Sequence, residues 1–207
     1  MQDEKFLAVA EGVGGDRGLP ARLALIPFLY GALGCGSELF DANRASNCVG
    51  GQCPRPECSV EGGGWPADWA SLEEQALSLV NERRANGASC GEQRFGPAPA
   101  FLMSPALRQS ARCHSLDMAT QNYFSHESLD GRSPWARIAA AGYTGAATAE
   151  NIAAGYSDAR SAVNALMAST GHCKNIMQRS SNEIGIGFAS SSTAFYHSYW
   201  TQDFGRR

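Results

Sequence analysis

Apolar positions along this chain follow two periods, and the change of period marks a change of element. In "SLEEQALSLVNERRANG" (71–87), Leu72, Ala76, Leu79 and Val80 recur at helical spacing. Ser71 with Glu74 has the form of a capping box, and Gly87 supplies a stop. A second helix is predicted from "SPALRQSARCHSLDMATQN". There Ser104 caps, Pro105 takes the first helical position, and Leu107, Ala111, His114 and Met118 form one inward stripe. "SPWARIAAAGY" repeats the Ser-Pro start and ends at Gly142, giving a short third helix. "SDARSAVNALMAST" gives a fourth, with Val163, Leu166 and Met167 inward. The C-terminal runs "EIGIGFAS" and "AFYHSYWTQDFG" are β-rich and joined by a polar turn, so a β-hairpin closes the chain. Helices first and strands last predict an α+β fold, helices covering an antiparallel sheet.

Before residue 67 the pattern is different. Arg17 and Arg22 precede "LALIPFLYGAL" (23–33), a short apolar run followed by small residues. A positive flank and an apolar run of that length read as a signal peptide, too short to span a membrane as a helix. Ala32-Leu33-Gly34-Cys35 resembles a lipobox with Cys35 as the lipidated residue. Residues 36–66 lack an apolar period and are dense in Gly, Pro and Cys, which suits a tether. The expected organisation is a leader at 1–35, a tether at 36–66 and one globular domain at 67–207. Its expected location is outside the cytoplasm: a bacterial outer-membrane or cell-surface lipoprotein held by the lipid anchor, or a secreted protein.

Composition agrees with one core. The 207 residues are 43% hydrophobic and 18% charged, enough for one domain. With 17 Lys+Arg against 20 Asp+Glu and no basic block, nucleic acid is excluded as a partner. A monomer is expected. Export would place the cysteines in an oxidising compartment, making Cys48, Cys53, Cys58, Cys90, Cys113 and Cys173 disulfide candidates whose pairing the sequence leaves open.

Three titratable residues stand at predicted loops or element ends: His126 in "YFSH", Glu150 in "AENIAAGY" and His172 in "TGHCKNIM". Two histidines and a carboxylate from separate segments can converge as a metal site, an acid/base pair or a hydrogen-bonded knot. His114 lies on an apolar helical stripe and reads as a core histidine, and His197 reads as sheet packing or surface. No nucleophile elbow or phosphate-binding loop occurs, so no catalytic residue is assigned.

Taken in order, "YFSHESLDGRSPWARIAAAGY", "AENIAAGY", "GHCKNIM", "EIGIGFA" and "YWTQDFG" closely resemble the bacterial branch of the CAP superfamily, which includes cysteine-rich secretory, allergen and pathogenesis-related proteins. The resemblance covers about residues 71–205 and implies a single α-β-α sandwich. It implies a cleft with His126, Glu150 and His172 as ligands for a divalent metal such as zinc. The family's second acidic residue has no counterpart here: Leu166 stands where a Trp is usual, and Ser169 falls near the acidic position. Asn151 and Ser169 are then expected to line the cleft. The expected function is binding of a lipid, peptide or cell-wall glycan. A metal-dependent hydrolase and a purely structural or interaction domain are the alternatives.

Overall fold

In this computed structural model, residues 8–14 and 64–207 are described. Two strands organise the fold: β6 (Glu183–Ser190) and β7 (Ser198–Arg206) pair antiparallel from Glu183↔Gly205 to Ser190↔Ser198. Because successive strand residues face opposite ways, Ile184, Ile186, Phe188, Trp200 and Phe204 point to one face. Gly185, Gly187, Ala189, Tyr199, Thr201 and Asp203 point to the other.

The first face packs on α1 (Ala67–Asn86), α4 (Ala159–Ala168) and α5 (Thr170–Met177) through Ala76, Val80, Val163, Leu166, Ile176 and Met177. The second packs on α2 (Pro105–Gln121) and α3 (Pro134–Ala140) through Leu107, Met118, Ala119 and Ile138. The result is the expected three-layer α-β-α sandwich. Glycine sets the spacing of its second interface. A Cβ on Gly185 or Gly187 would stand 2.0 Å from the Leu107 or 2.3 Å from the Ala111 backbone carbon, so α2 lies directly on β6.

The sheet order is β1-β5-β7-β6-β4, with β5 (Ala146–Ala154) antiparallel to β7 and β4 (Leu102–Met103) parallel to β6. β1 (Ala8–Gly14), from the segment read as leader, pairs antiparallel with the outer edge of β5. A separate two-stranded ribbon joins β2 (Ala88–Cys90) to β3 (Gln93–Phe95). Cys35, the tether cysteines Cys48, Cys53 and Cys58, and the apolar run 23–33 lie outside the described residues. Among the described residues, no helix is long and apolar enough to cross a membrane.

Several elements differ from the sequence expectation. α1 begins at Ala67 after Pro66, so Ser71 and Glu74 form no capping box. Glu74 instead pairs with Arg108 Nη1 at 2.7 Å. Its neighbour Glu73, fully buried, fixes the start of α1. It accepts from Trp65 Nε1 (2.9 Å), Arg108 Nη2 (2.8 Å), Arg112 Nη2 (2.5 Å) and the backbone N–H of Phe188 on β6 (3.2 Å). Ser104 precedes α2 without a side-chain cap bond, whereas Ser133 accepts from Ala136 N at the start of α3. β5 and α5 are absent from the sequence expectation, and β7 starts at Ser198, beyond the turn holding His197.

At the far end of α1, Arg84 is buried among main-chain oxygens. Its guanidinium donates to the carbonyls of Pro99, Ile176, Gln178 and Ser181, the middle two at the C-terminal end of α5. Four oxygens and the negative helix end stabilise the cation there, although burial, with the charge of Arg179, lowers its pKa to about 10.

Candidate functional site

α2 ends where Asn122 adopts a left-handed conformation (φ 53°) and turns the chain into the loop that carries His126. Three side chains hold that loop. The Nε2 of His114, on α2, donates to the Ser125 carbonyl at 2.9 Å. Tyr123 donates to Asp117 Oδ2 at 2.5 Å. Arg137, on α3, donates to the carbonyls of His126 (2.8 Å) and Arg132 (3.1 Å) and to Ser128 Oγ (3.2 Å).

Glu150 sits mid-strand on β5 and is fully buried. Its Oε1 accepts from His126 Nδ1 at 2.8 Å, and its Oε2 accepts from Arg137 Nη2. Burial pushes the carboxyl upward, but the His126 hydrogen bond and the charges of His114, Arg137 and His126 outweigh it and hold it at about 2. The site is therefore an ionised carboxylate spanned by a loop histidine and a helix arginine. His114, as expected, is a core residue, and burial lowers its pKa to about 4.

Asp203 faces Glu150 across the β5–β7 ladder. It is fully buried, and neither of its oxygens makes a hydrogen bond of full geometry, Ser110 and Glu150 being its polar neighbours. Burial first, and then the Glu150 charge, raise its pKa well above the ordinary carboxylate value against the pull of Arg137.

The other expected residues gather on the opposite face of β5. Asn151, next after Glu150, points away from it: Nδ2 donates to the His172 carbonyl (3.3 Å) and to Gln202 Oε1 (3.1 Å), and Oδ1 accepts from Asn175 Nδ2 (2.9 Å). His172 lies within α5 rather than on a loop, its Nδ1 2.7 Å from Ser169 Oγ at the junction of α4 and α5. Cys173 beside it forms a disulfide with Cys90 on β2. Cys113 is half-buried on α2, with Gln109 Nε2 3.5 Å from its sulfur.

The structure thus joins His126 to Glu150 and sets Asn151, Ser169 and His172 in a second network. Among the described residues, no three His, Cys, Asp or Glu side chains are grouped to hold a metal. The donor chemistry argues the same way. Both oxygens of Glu150 are committed, and the guanidinium on one of them opposes a divalent cation. As arranged, these residues do not fit a zinc site centred on Glu150.

Sequence reasoning missed Arg137 and Asp203. Each had a signal: Arg137 is the one cation on the inward face of α3, and Asp203 shares strand parity with the buried Tyr199 and Thr201. It also missed the concavity beside the His126 loop. This open depression of about 420 Å³ is lined by Asn122, Tyr123 and Phe124 from the loop and by Phe195, Tyr196 and Tyr199 from the β6–β7 connection and β7. Its volume falls in the range of about 300–1,000 Å³ common for small-ligand sites.

Comparison with known proteins places this geometry. The cysteine-rich secretory protein (CAP) family model matches residues 77–204. The chain is 33% identical over 139 residues to "Uncharacterized protein YkwD" of Bacillus subtilis (strain 168), covering 67% of this chain and 49% of that protein. An extracellular protein containing a SCP domain from Bacillus anthracis str. Ames superposes with a TM-score of 0.55 at 27% identity, covering 70% of this chain and 45% of the other. An outer surface protein from Borrelia burgdorferi superposes with a TM-score of 0.53 over 66% of this chain and 93% of the other; at 18% identity it shows the fold alone. The chain spans about half the length of the two Bacillus proteins.

Proposed function

This chain belongs to the cysteine-rich secretory protein (CAP) family, and from that premise we propose that it is an exported binding module without catalytic activity. Its ligand meets the concavity beside the His126 loop, and the Glu150–Arg137–His126 network braces that loop. One observation carries the reading: both oxygens of Glu150 are occupied by internal partners. A carboxylate so held at about 2 is a poor base near neutral pH, because a general base works best with a pKa near the operating pH. What the network does accomplish is mechanical, since Arg137 reaches three groups of the loop as well as the carboxylate.

Export is supported by the apolar run at 23–33, by the Cys90–Cys173 disulfide and by the extracellular character stated for the Bacillus anthracis relative. A lipid anchor at Cys35 would hold the module at the membrane surface.

The test is co-sedimentation of the full chain with isolated bacterial cell envelopes. Phe195→Ala, at a ring 68% exposed, should weaken binding at least tenfold while leaving the melting temperature within a few degrees of the parent. Glu150→Gln should lower stability by about 3–5 kcal/mol, the cost of breaking a buried pair. Ester or peptide hydrolysis that disappears in Glu150→Gln and persists in Phe195→Ala would overturn the reading in favour of a hydrolase.

A further inference from the structure

The two margins of the sheet end differently. On the β6 side, β4 pairs only at Glu183 and Ile184, and the carboxylate of Glu73 takes the Phe188 N–H at 3.2 Å. On the β5 side a whole strand, β1, closes the sheet. Its register runs Ala8↔Ala154, Val9↔Ala153 and Ala10↔Ile152, then Val13↔Glu150 and Gly14↔Ala149. Glu11 and Gly12 therefore stand together against Asn151, the two-against-one count of a β-bulge.

β5 is suited to such a neighbour. It spans nine residues and pairs along its length with β7, so alternate residues turn their N–H and C=O outward. Its sequence, AATAENIAA, holds neither Lys nor Pro, residues that commonly blunt a sheet edge.

The occupant is detachable by its place in the sequence. β1 lies in the segment read as leader, with residues 15–66 between it and α1. On the export reading, hydrolysis of the Gly34–Cys35 bond releases residues 1–34, β1 among them. The outward groups of β5 then need another partner.

What sits there now describes that partner. It is extended, it runs antiparallel, and it offers its main chain. α5 packs beside it, so the edge suits small side chains, and Ala8–Gly14 reads AVAEGVG. A glycan or a lipid has no row of alternating N–H and C=O groups to offer. A second copy of this chain fits less well. Its β5 has no glycine to place in the bulge against Asn151, and it would bring its own α5 against this one.

Beyond the aromatic depression, we infer that the outer edge of β5 is a second binding face, which takes an extended peptide of small residues by strand addition. In the unprocessed chain residues 8–14 occupy that face and keep other peptides out.

The probe is a fluorescein-labelled peptide of residues 5–17, KFLAVAEGVGGDR, titrated with the full chain and read by anisotropy. Val9→Pro with Ala10→Pro removes the N–H at both strand parities, so this double variant should lose its own β1. It should bind the peptide at least about tenfold more tightly than the parent, whose β1 competes from within the same chain. The peptide carrying both prolines should not bind. Bound peptide should raise the melting temperature of the double variant. If that variant does not fold alone, refolding it with the peptide should restore the circular dichroism of the parent. A folded variant that binds no better than the parent, or an unfolded one that the peptide does not rescue, overturns the inference. So does a proline peptide that binds as well as the plain one. A variant that forms a concentration-dependent dimer, undissociated by excess peptide, overturns the peptide assignment in favour of a second copy. Phe195→Ala should leave peptide binding unchanged, and the proline variant should still co-sediment with envelopes, so the two faces stand or fall separately.

Discussion

Glu150 and Asp203 are opposite one another in register, yet the fold drives their protonation in opposite directions. Arg137 and His126 are aimed at Glu150, so it keeps its charge, and Asp203 has no such partner. A carboxyl whose folded pKa is raised binds more protons in the native than in the unfolded state, so Asp203 costs stability increasingly as pH rises above its unfolded value. Asp203→Asn should therefore stabilise the protein at pH 8 by on the order of 1 kcal/mol or more, because the amide carries no charge for burial and Glu150 to oppose. The gain should shrink towards pH 4, as read by urea denaturation at both values. His114 acts on the acid side. Its pKa falls from 6.5 unfolded to about 4 folded, so the unfolded state binds the extra proton between those values and stability is lost as pH falls through that window. The loss attributable to this residue is about 3 kcal/mol between pH 7 and pH 4. His114→Gln, which keeps a donor for the Ser125 carbonyl, should flatten denaturation curves measured across that range. Glu150 adds to the same acid loss only lower down, from 4.5 towards about 2.

At the scale of elements, long periodic segments were legible and short ones were not. The α2 stripe of Leu107, Ala111, His114 and Met118 is buried as its spacing predicts, and β6 occupies the run read from its alternation. β5 escaped notice because "AATAENIAA" is mostly alanine, a residue depleted in strands; its partner β7 and the helices on both faces make it a strand. α5 escaped because six polar or small residues precede its only large apolar pair, Ile176 and Met177, leaving no period to read; its helix is held by Asn151, Arg84 and the Cys90–Cys173 disulfide. Of the site, His126 and Glu150 could be found as chemistry-bearing residues between elements, whereas the division of Glu150 from His172 by the sheet depends on strand parity that the missing β5 concealed. The disulfide ties α5 to the β2–β3 ribbon across a sequence separation of 83. Cys90→Ser with Cys173→Ser should cost about 2–5 kcal/mol, measured by denaturant unfolding. Dithiothreitol should lower the parent to the variant's midpoint and leave the variant unchanged.

At the scale of the whole molecule, family membership fixes the sandwich and leaves the use of its surface to loops. The aromatic depression is assembled from the α2–α3 loop and the β6–β7 connection, and such loops vary freely while the layers beneath stay packed. One feature of those layers reaches beyond the single chain. β4 pairs with β6 only at Glu183 and Ile184, so the rest of that strand needs other cover. Glu73 supplies it at Phe188, its carboxylate taking the backbone N–H while Trp69 packs on the Phe188 ring. An uncovered strand margin is a template for another molecule's backbone. Glu73→Ala should therefore do more than lower the melting temperature. Light scattering during slow warming should show it forming concentration-dependent aggregates well before it unfolds, while the parent stays dispersed. That carboxylate keeps one copy of the chain from becoming a seed for the next.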